Sequence, residues 1–273
     1  MGEGVLWVFG FVQMEPWENP GWVARLRCGL QKGYGTELNL RPLFGRTALF
    51  VRHWVVDGLS SRQRKARQGE LLRMLAEKGV DKVAVCERGD SLAEIGMRRM
   101  GSDYLHSYLA GDVGAHVAER AGATAACFFR TVGQLEERAL LKLAESFRYL
   151  MVSAQRDSAA ICRALRRRYG LPVVEDPTPS QVRGADFALL LHPPGRDVTL
   201  SGRCLAFRPR AERDWPTPGG IPITGLSLAV PPDLREEIPA GFLPLPILSE
   251  AAFRGQIDPS RIKIHDVSID NVE

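Results

Sequence analysis

The sequence predicts an α/β protein with a mainly parallel, helix-covered, doubly wound sheet, in two lobes with a Pro/Gly-rich C-terminal tail. Three observations predict it. Short apolar runs alternate with amphipathic helical stretches along most of the chain. Residues 147–194 read strand, helix, strand, short helix, strand, with a turn signal at each junction. Strands joined by helices run parallel, and right-handed crossovers lay the helices over the sheet faces.

The elements follow in order. Residues 1–45 are rich in Gly, Trp and Pro; Val5–Gln13 and Trp22–Gln31 read as two strands, an antiparallel pair, with Gly33-Tyr34-Gly35 as a turn. Thr47–Val56 is a strand ended by Asp57-Gly58. Ser60-Ser61-Arg62-Gln63 is a capping box opening a helix to Lys78, whose Leu71, Leu72, Leu75 and Ala76 form the buried stripe. Lys82–Cys86 is a strand, and Ser91 with Glu94 caps a helix to about Met100. A helix over Asp112–Ala121, a strand over Thr124–Phe129 and a helix capped at Thr131 and running to Ser146 complete the first lobe.

Tyr149–Ser153 is an apolar run between polar flanks, the pattern of a strand buried on both faces. The next helix is capped by Asp157 or Ser158. It carries Ile161, Leu165 and Tyr169 on one face, while Arg163, Arg166, Arg167 and Arg168 suit its negative end, and Gly170 stops it. Leu171–Glu175 is a strand, Thr178 and Gln181 form a capping box with Pro179 first in the helix, and Asp186–Leu191 is a strand halted by His192-Pro193-Pro194. Arg203–Phe207 and Thr224–Ala229 read as strands, Leu245–Arg254 as a helix and Ile262–Ile269 as an edge strand. The lobe boundary falls near 146: an N-terminal α/β lobe over 1–146 with a β-rich start, then 147–273 closing on an irregular tail. One continuous sheet is the alternative.

With 273 residues, 45% hydrophobic and 25% charged, the chain can bury a full core. Five dispersed cysteines without a CxxC point to a reducing compartment rather than a disulfide or zinc framework. The histidines are scattered too, with no HExxH, so no metal site is expected. No apolar run approaches the roughly 20 residues of a membrane helix, and Glu3 stands where a signal peptide would be basic. A soluble cytoplasmic protein without a membrane partner is expected. The basic clusters Arg62, Arg64, Lys65, Arg67 and Arg163, Arg166–Arg168 read as solvated helix faces, which argues against nucleic acid.

The strand–turn–helix at Ser153–Ser158, with Glu175 and Asp176 about 20 residues on, resembles the architecture of Rossmann-type NAD(P) domains over 147–230. That resemblance implies a nucleotide across the carboxyl edge of the sheet and an acid on its ribose. The glycine fingerprint is absent: residues 153–158 contain no glycine, and Asp157 at the helix start would repel a pyrophosphate. Ser153 and Arg156 suit a smaller anion or a nucleotide in another pose. His192, at the carboxyl end of a central strand, has the chemistry of an acid or base. The candidate ligand set is therefore Ser153, Arg156, Asp157, Glu175, Asp176 and His192, with no catalytic residue assigned. The cofactor is left open, because NAD(P) suits the architecture but lacks its fingerprint.

This reading is a Rossmann-like small-ligand or nucleotide-binding protein with a degenerate, glycine-free phosphate loop. The alternatives are a non-catalytic scaffold with a protein partner, a divergent NAD(P) oxidoreductase, and a GDSL-like hydrolase. The last rests on Gly89-Asp90-Ser91-Leu92 after a strand. That family's downstream Gly-x-Asn-Asp block and Asp-x-x-His pair are missing, and Ser91 also reads as a helix cap.

Overall fold

The computed structural model describes residues 8–56, 58–85, 98–100, 103–130, 134–154, 158–195, 197–209 and 218–269. The chain forms two compact units, Met1–Ser102 with Pro231–Asp258, and Asp103–Val230 with Pro259–Glu273.

The first unit begins with β1 (Val8–Pro16), α1 (Trp22–Leu30), β2 (Thr36–Leu43) and β3 (Arg46–Val55). It continues through α2 (Ser61–Glu77), β4 (Val80–Val85) and β5 (Arg98–Met100). Its five-stranded sheet has the order β2-β3-β1-β4-β5. β1, β3, β4 and β5 are parallel, and only β2 runs antiparallel, as a hairpin with β3. The hairpin turns through Phe44 and Gly45, both at positive φ (47° and 75°), the handedness that matches strand twist. The expected capping box of α2 is formed: Ser60 accepts from the Gln63 amide, and the Gln63 side chain accepts from the Ser60 amide. Leu71 and Leu75 pack beneath it on Val12, Leu49, Val51 and Val83, whereas Ala76 is exposed. The opposite sheet face carries Phe11 and Phe50, covered by Phe242 and Ile247.

The second unit opens with α3 (Asp103–Ala121), β6 (Ala125–Arg130), α4 (Gln134–Ser146), β7 (Tyr149–Ala154) and α5 (Ser158–Tyr169). It runs on through β8 (Val173–Glu175), α6 (Pro179–Val182), β9 (Phe187–Leu190), β10 (Leu200–Phe207) and β11 (Gly219–Ala229). The chain then returns to the first unit as α7 (Pro232–Glu236) and α8 (Pro244–Phe253) before closing the second sheet with β12 (Lys263–Ile269). That sheet has seven strands in the order β12-β11-β10-β9-β6-β7-β8, all parallel except β12. Numbered from β6, the order read from the β8 edge is 3-2-1-4-5-6, that of a doubly wound dinucleotide-binding sheet, with an antiparallel strand added at the edge.

Period-2 alternation on β6 feeds two cores. Phe128 faces Leu140, Leu143 and Leu165 on one side, while Cys127 and Phe129 join Val182, Leu190 and Ala206 on the other. α3 lies against α4 at glycines: a Cβ on Gly111 would come 2.8 Å from Ala139 Cα, and one on Gly114 within 3.0 Å of Phe187. Arg138 then bridges the pair, 2.9 Å from Asp112 and over the Tyr108 ring.

Several expectations are corrected. Trp22–Gln31 is not a strand; Trp22–Leu30 is helical, because its apolar residues fit both a period of two and a period of 3.6, and the Arg25 amide closes a turn on Gly21 O. β1 accordingly pairs in parallel with β3 rather than antiparallel with residues 22–31. Arg98–Met100, expected at a helix end, is a strand parallel to β4. The division near 146 is not where contacts part, since β6 pairs with β7 and β9 directly across it. The C-terminal stretch is also not an irregular tail over its described residues, where it forms β11, α7, α8 and β12.

Candidate functional site

In an open α/β sheet a ligand binds outside the carboxyl ends of the strands, where the order reverses. In the second unit that reversal lies between β6 and β9. Leu191 N donates to Phe129 O at 3.1 Å across it, so His192 is the first residue beyond the last such bond among the described residues. Its ring is half-buried, and Nδ1 lies 2.8 Å from Pro193 O. A carbonyl can only accept, so Nδ1 carries the proton there.

β7 is the second strand of this sheet, not the first. Ser153 pairs with Phe129 and is half-buried at the carboxyl edge. In sheets of this order the phosphate loop follows the first strand, here β6, whereas residues 155–157 follow the second. The connection between β6 and α4 contains Thr131, Val132 and Gly133, and the first turn of α4 carries Glu136 and Glu137. In sequence, residues 131–134 read only as a helix cap. The signal available is an apolar strand followed by one glycine and a helix, and strand order alone gives it meaning.

Glu175 ends β8 and pairs in register with Val152. Its carboxylate is held by Arg166 of α5 at 3.0 Å, and Arg166 also donates to Val173 O at 2.7 Å, fastening the helix to the strand. Asp176 is exposed and left-handed at φ 45°, with its amide donating to Val152 O at 2.9 Å. It leads into the formed Thr178–Gln181 capping box. Strands lie about 4.8 Å apart, so the two spacings from β7 to β9 set Ser153 and His192 roughly 10 Å apart. Ser153, Glu175, Asp176 and His192 thus share one edge without converging on a single atom. Arg156 and Asp157, and Ser91 of the hydrolase reading, lie outside the described residues.

The amino-terminal edge is tied down separately. Burial raises the Asp186 carboxyl, but the Thr124 and Ala125 amides, at 2.8 and 2.9 Å, and the Thr124 hydroxyl outweigh it and hold the group below its ordinary value. Cys127 and Cys204 are buried thiols; desolvation pushes Cys204 up to about 12 and Cys127 higher still, so neither is a thiolate nucleophile. Among the described residues, no three His, Cys, Asp or Glu side chains cluster as metal ligands, and no helix is long and apolar enough to cross a membrane.

The parallel sheet, its strand order and its two covered faces make the second unit a Rossmann-type α/β domain. No protein-family model matches the chain, and neither does any curated protein sequence. Among solved structures, a dipicolinate synthase subunit from Bacillus halodurans aligns over 94% of this chain and 100% of its own, at 11% identity and a TM-score of 0.40. Quinate dehydrogenase from Corynebacterium glutamicum in complex with NAD aligns over 73% of this chain and 79% of its own, at 11% identity and 0.30. L-tryptophan dehydrogenase from Nostoc punctiforme aligns over 74% of this chain at 15% identity and 0.26, and the chain spans 57% of that protein's length.

Proposed function

We propose that the chain binds a nucleotide along the carboxyl edge of the seven-stranded sheet, across the β6/β9 reversal. The observation that carries this reading is the 3-2-1-4-5-6 order of parallel strands, since sheets of this order take their ligands at that reversal. The phosphates would lie near the β6–α4 connection. With one glycine there and two carboxylates in the first turn of α4, backbone amides and helix dipole cradle a pyrophosphate poorly. The binding energy must then come from the nucleoside end.

Arg156 follows β7 in the sequence, the strand at which this order takes a ribose, and we propose it for the charge of a 2′-phosphate. Ser153 adds a hydroxyl on the same strand, Asp157 and Asp176 are the acids we propose for a ribose, and Glu175 is held by Arg166. His192, just past the β6/β9 pairing, is the group for proton transfer, should the bound nucleotide be a cofactor.

A thermal-shift screen of the full chain against NAD(H), NADP(H), ATP, GTP and S-adenosylmethionine tests this. A ligand at about 100 times its dissociation constant stabilises the fold by roughly 2.7 kcal/mol. A saturable rise with NADP(H), larger than with NAD(H) and lost in Arg156→Glu, is the expected result. A flat response to every nucleotide would sink the proposal and leave the scaffold reading.

A further inference from the structure

α1 has its apolar stripe on the outside. Of its nine residues only Cys28 is buried, while Trp22 is 75% exposed, Leu30 75%, Leu26 53% and Val23 43%. At about 100° per residue, Trp22, Leu26, Leu30 and Val23 fall within roughly 100° of arc, opposite the Cys28 face that anchors the helix to its unit. Arg25 and Arg27 flank the stripe on either side, and both are exposed. Lys32 follows the helix, and residues 21–35 contain no Asp or Glu.

A helix in a folded domain ordinarily turns such a stripe inward. Outward-facing Trp and Leu bordered by arginines are the pattern of a helix lying at a membrane interface. There the rings and aliphatic chains enter the headgroup boundary and the guanidinium groups meet lipid phosphate. A second copy of this chain suits the stripe less well, because a two-fold contact would bring the same three cations of residues 25–32 face to face with no acid between them. We propose that α1 is a docking surface for an anionic lipid surface, a peripheral contact that does not depend on nucleotide binding.

Vesicle co-sedimentation of the full chain tests this, with neutral phosphatidylcholine vesicles and vesicles containing phosphatidylserine. The expected result is binding to the anionic vesicles only, weakened by added salt. Arg25→Gln with Arg27→Gln should lower partitioning about thirtyfold, from roughly fivefold per basic residue. Trp22→Ala with Leu30→Ser should lower it by about tenfold or more. All four side chains are exposed, so melting temperatures should match the wild type and report that each variant folds. In the wild type, brominated lipid should quench a fluorescence component that Trp22→Phe lacks.

No pelleting with anionic vesicles at low salt would overturn the proposal, as would equal binding to neutral ones or unchanged binding by both variants. A concentration-dependent dimer abolished by Leu26→Glu would assign the stripe to self-association instead and overturn it too.

Discussion

His53 and His106 are the histidines whose chemistry burial changes. His53 is buried on β3, with Nδ1 2.9 Å from the Thr36 hydroxyl, and His106 lies edge-on to Phe207. Desolvation pushes each ring down to about 4, against a backbone contact at Pro209 that favours the charged form of His106. The unfolded chain takes up these protons near pH 6.5, whereas the folded chain resists them until about 4. A depressed folded value means the stability is intact above pH 6.5 and drains as pH falls from there toward 4. Urea midpoints measured across that range should drop, and His53→Gln or His106→Gln should each flatten the drop. An undiminished slope in both variants would show that other groups carry the acid sensitivity. The candidate residues show the opposite limit: Ser153, Glu175, Asp176 and His192 are readable in sequence because they end strands. The Arg166 clamp on Glu175 is not, because it needs α5 and β8 side by side.

At the scale of elements, the tightest junction is α3 against α4. Gly111 and Gly114 sit where any Cβ collides with Ala139, Lys142, Leu143 or Phe187, so the spacing of these helices depends on two missing methyl groups. Gly114→Ala should therefore cost about 1–3 kcal/mol in chemical denaturation, the range for overpacking a close-packed core. A loss near zero would mean that α3 shifts freely. The sequence marks α2, α5 and α6 well, since caps and stop signals are local chemistry. α1 misleads because WVARLRCGL satisfies the strand and helix periods together, and a nine-residue element offers too few repeats to choose between them. β5 misleads because three residues form a strand only by pairing with β4.

For the whole molecule, the two sheets place their order reversals differently. The parallel strands of the first unit run β3-β1-β4-β5, reversing between β1 and β4, while the second reverses between β6 and β9. If the nucleotide lies at the second reversal, NADPH should slow amide exchange at the carboxyl ends of β6, β7 and β9 and at Leu191, His192 and Gly195. It should leave β1, β2 and β3 unchanged. Protection that begins in β1 and β3 instead would move the site to the first unit.

Local periodicity, caps and turn residues determined from the sequence alone that this is an α/β protein with helix-covered parallel strands. They also located most of the elements. Tertiary structure decided which strand is first in its sheet, and so moved the proposed phosphate position from after β7 to after β6. It also decided that residues 231–258 return to the first unit. The physical reason is the same for both: a strand's pattern records that its faces are buried, but not which backbone it pairs with, since the ladder is made by amides and carbonyls common to every residue.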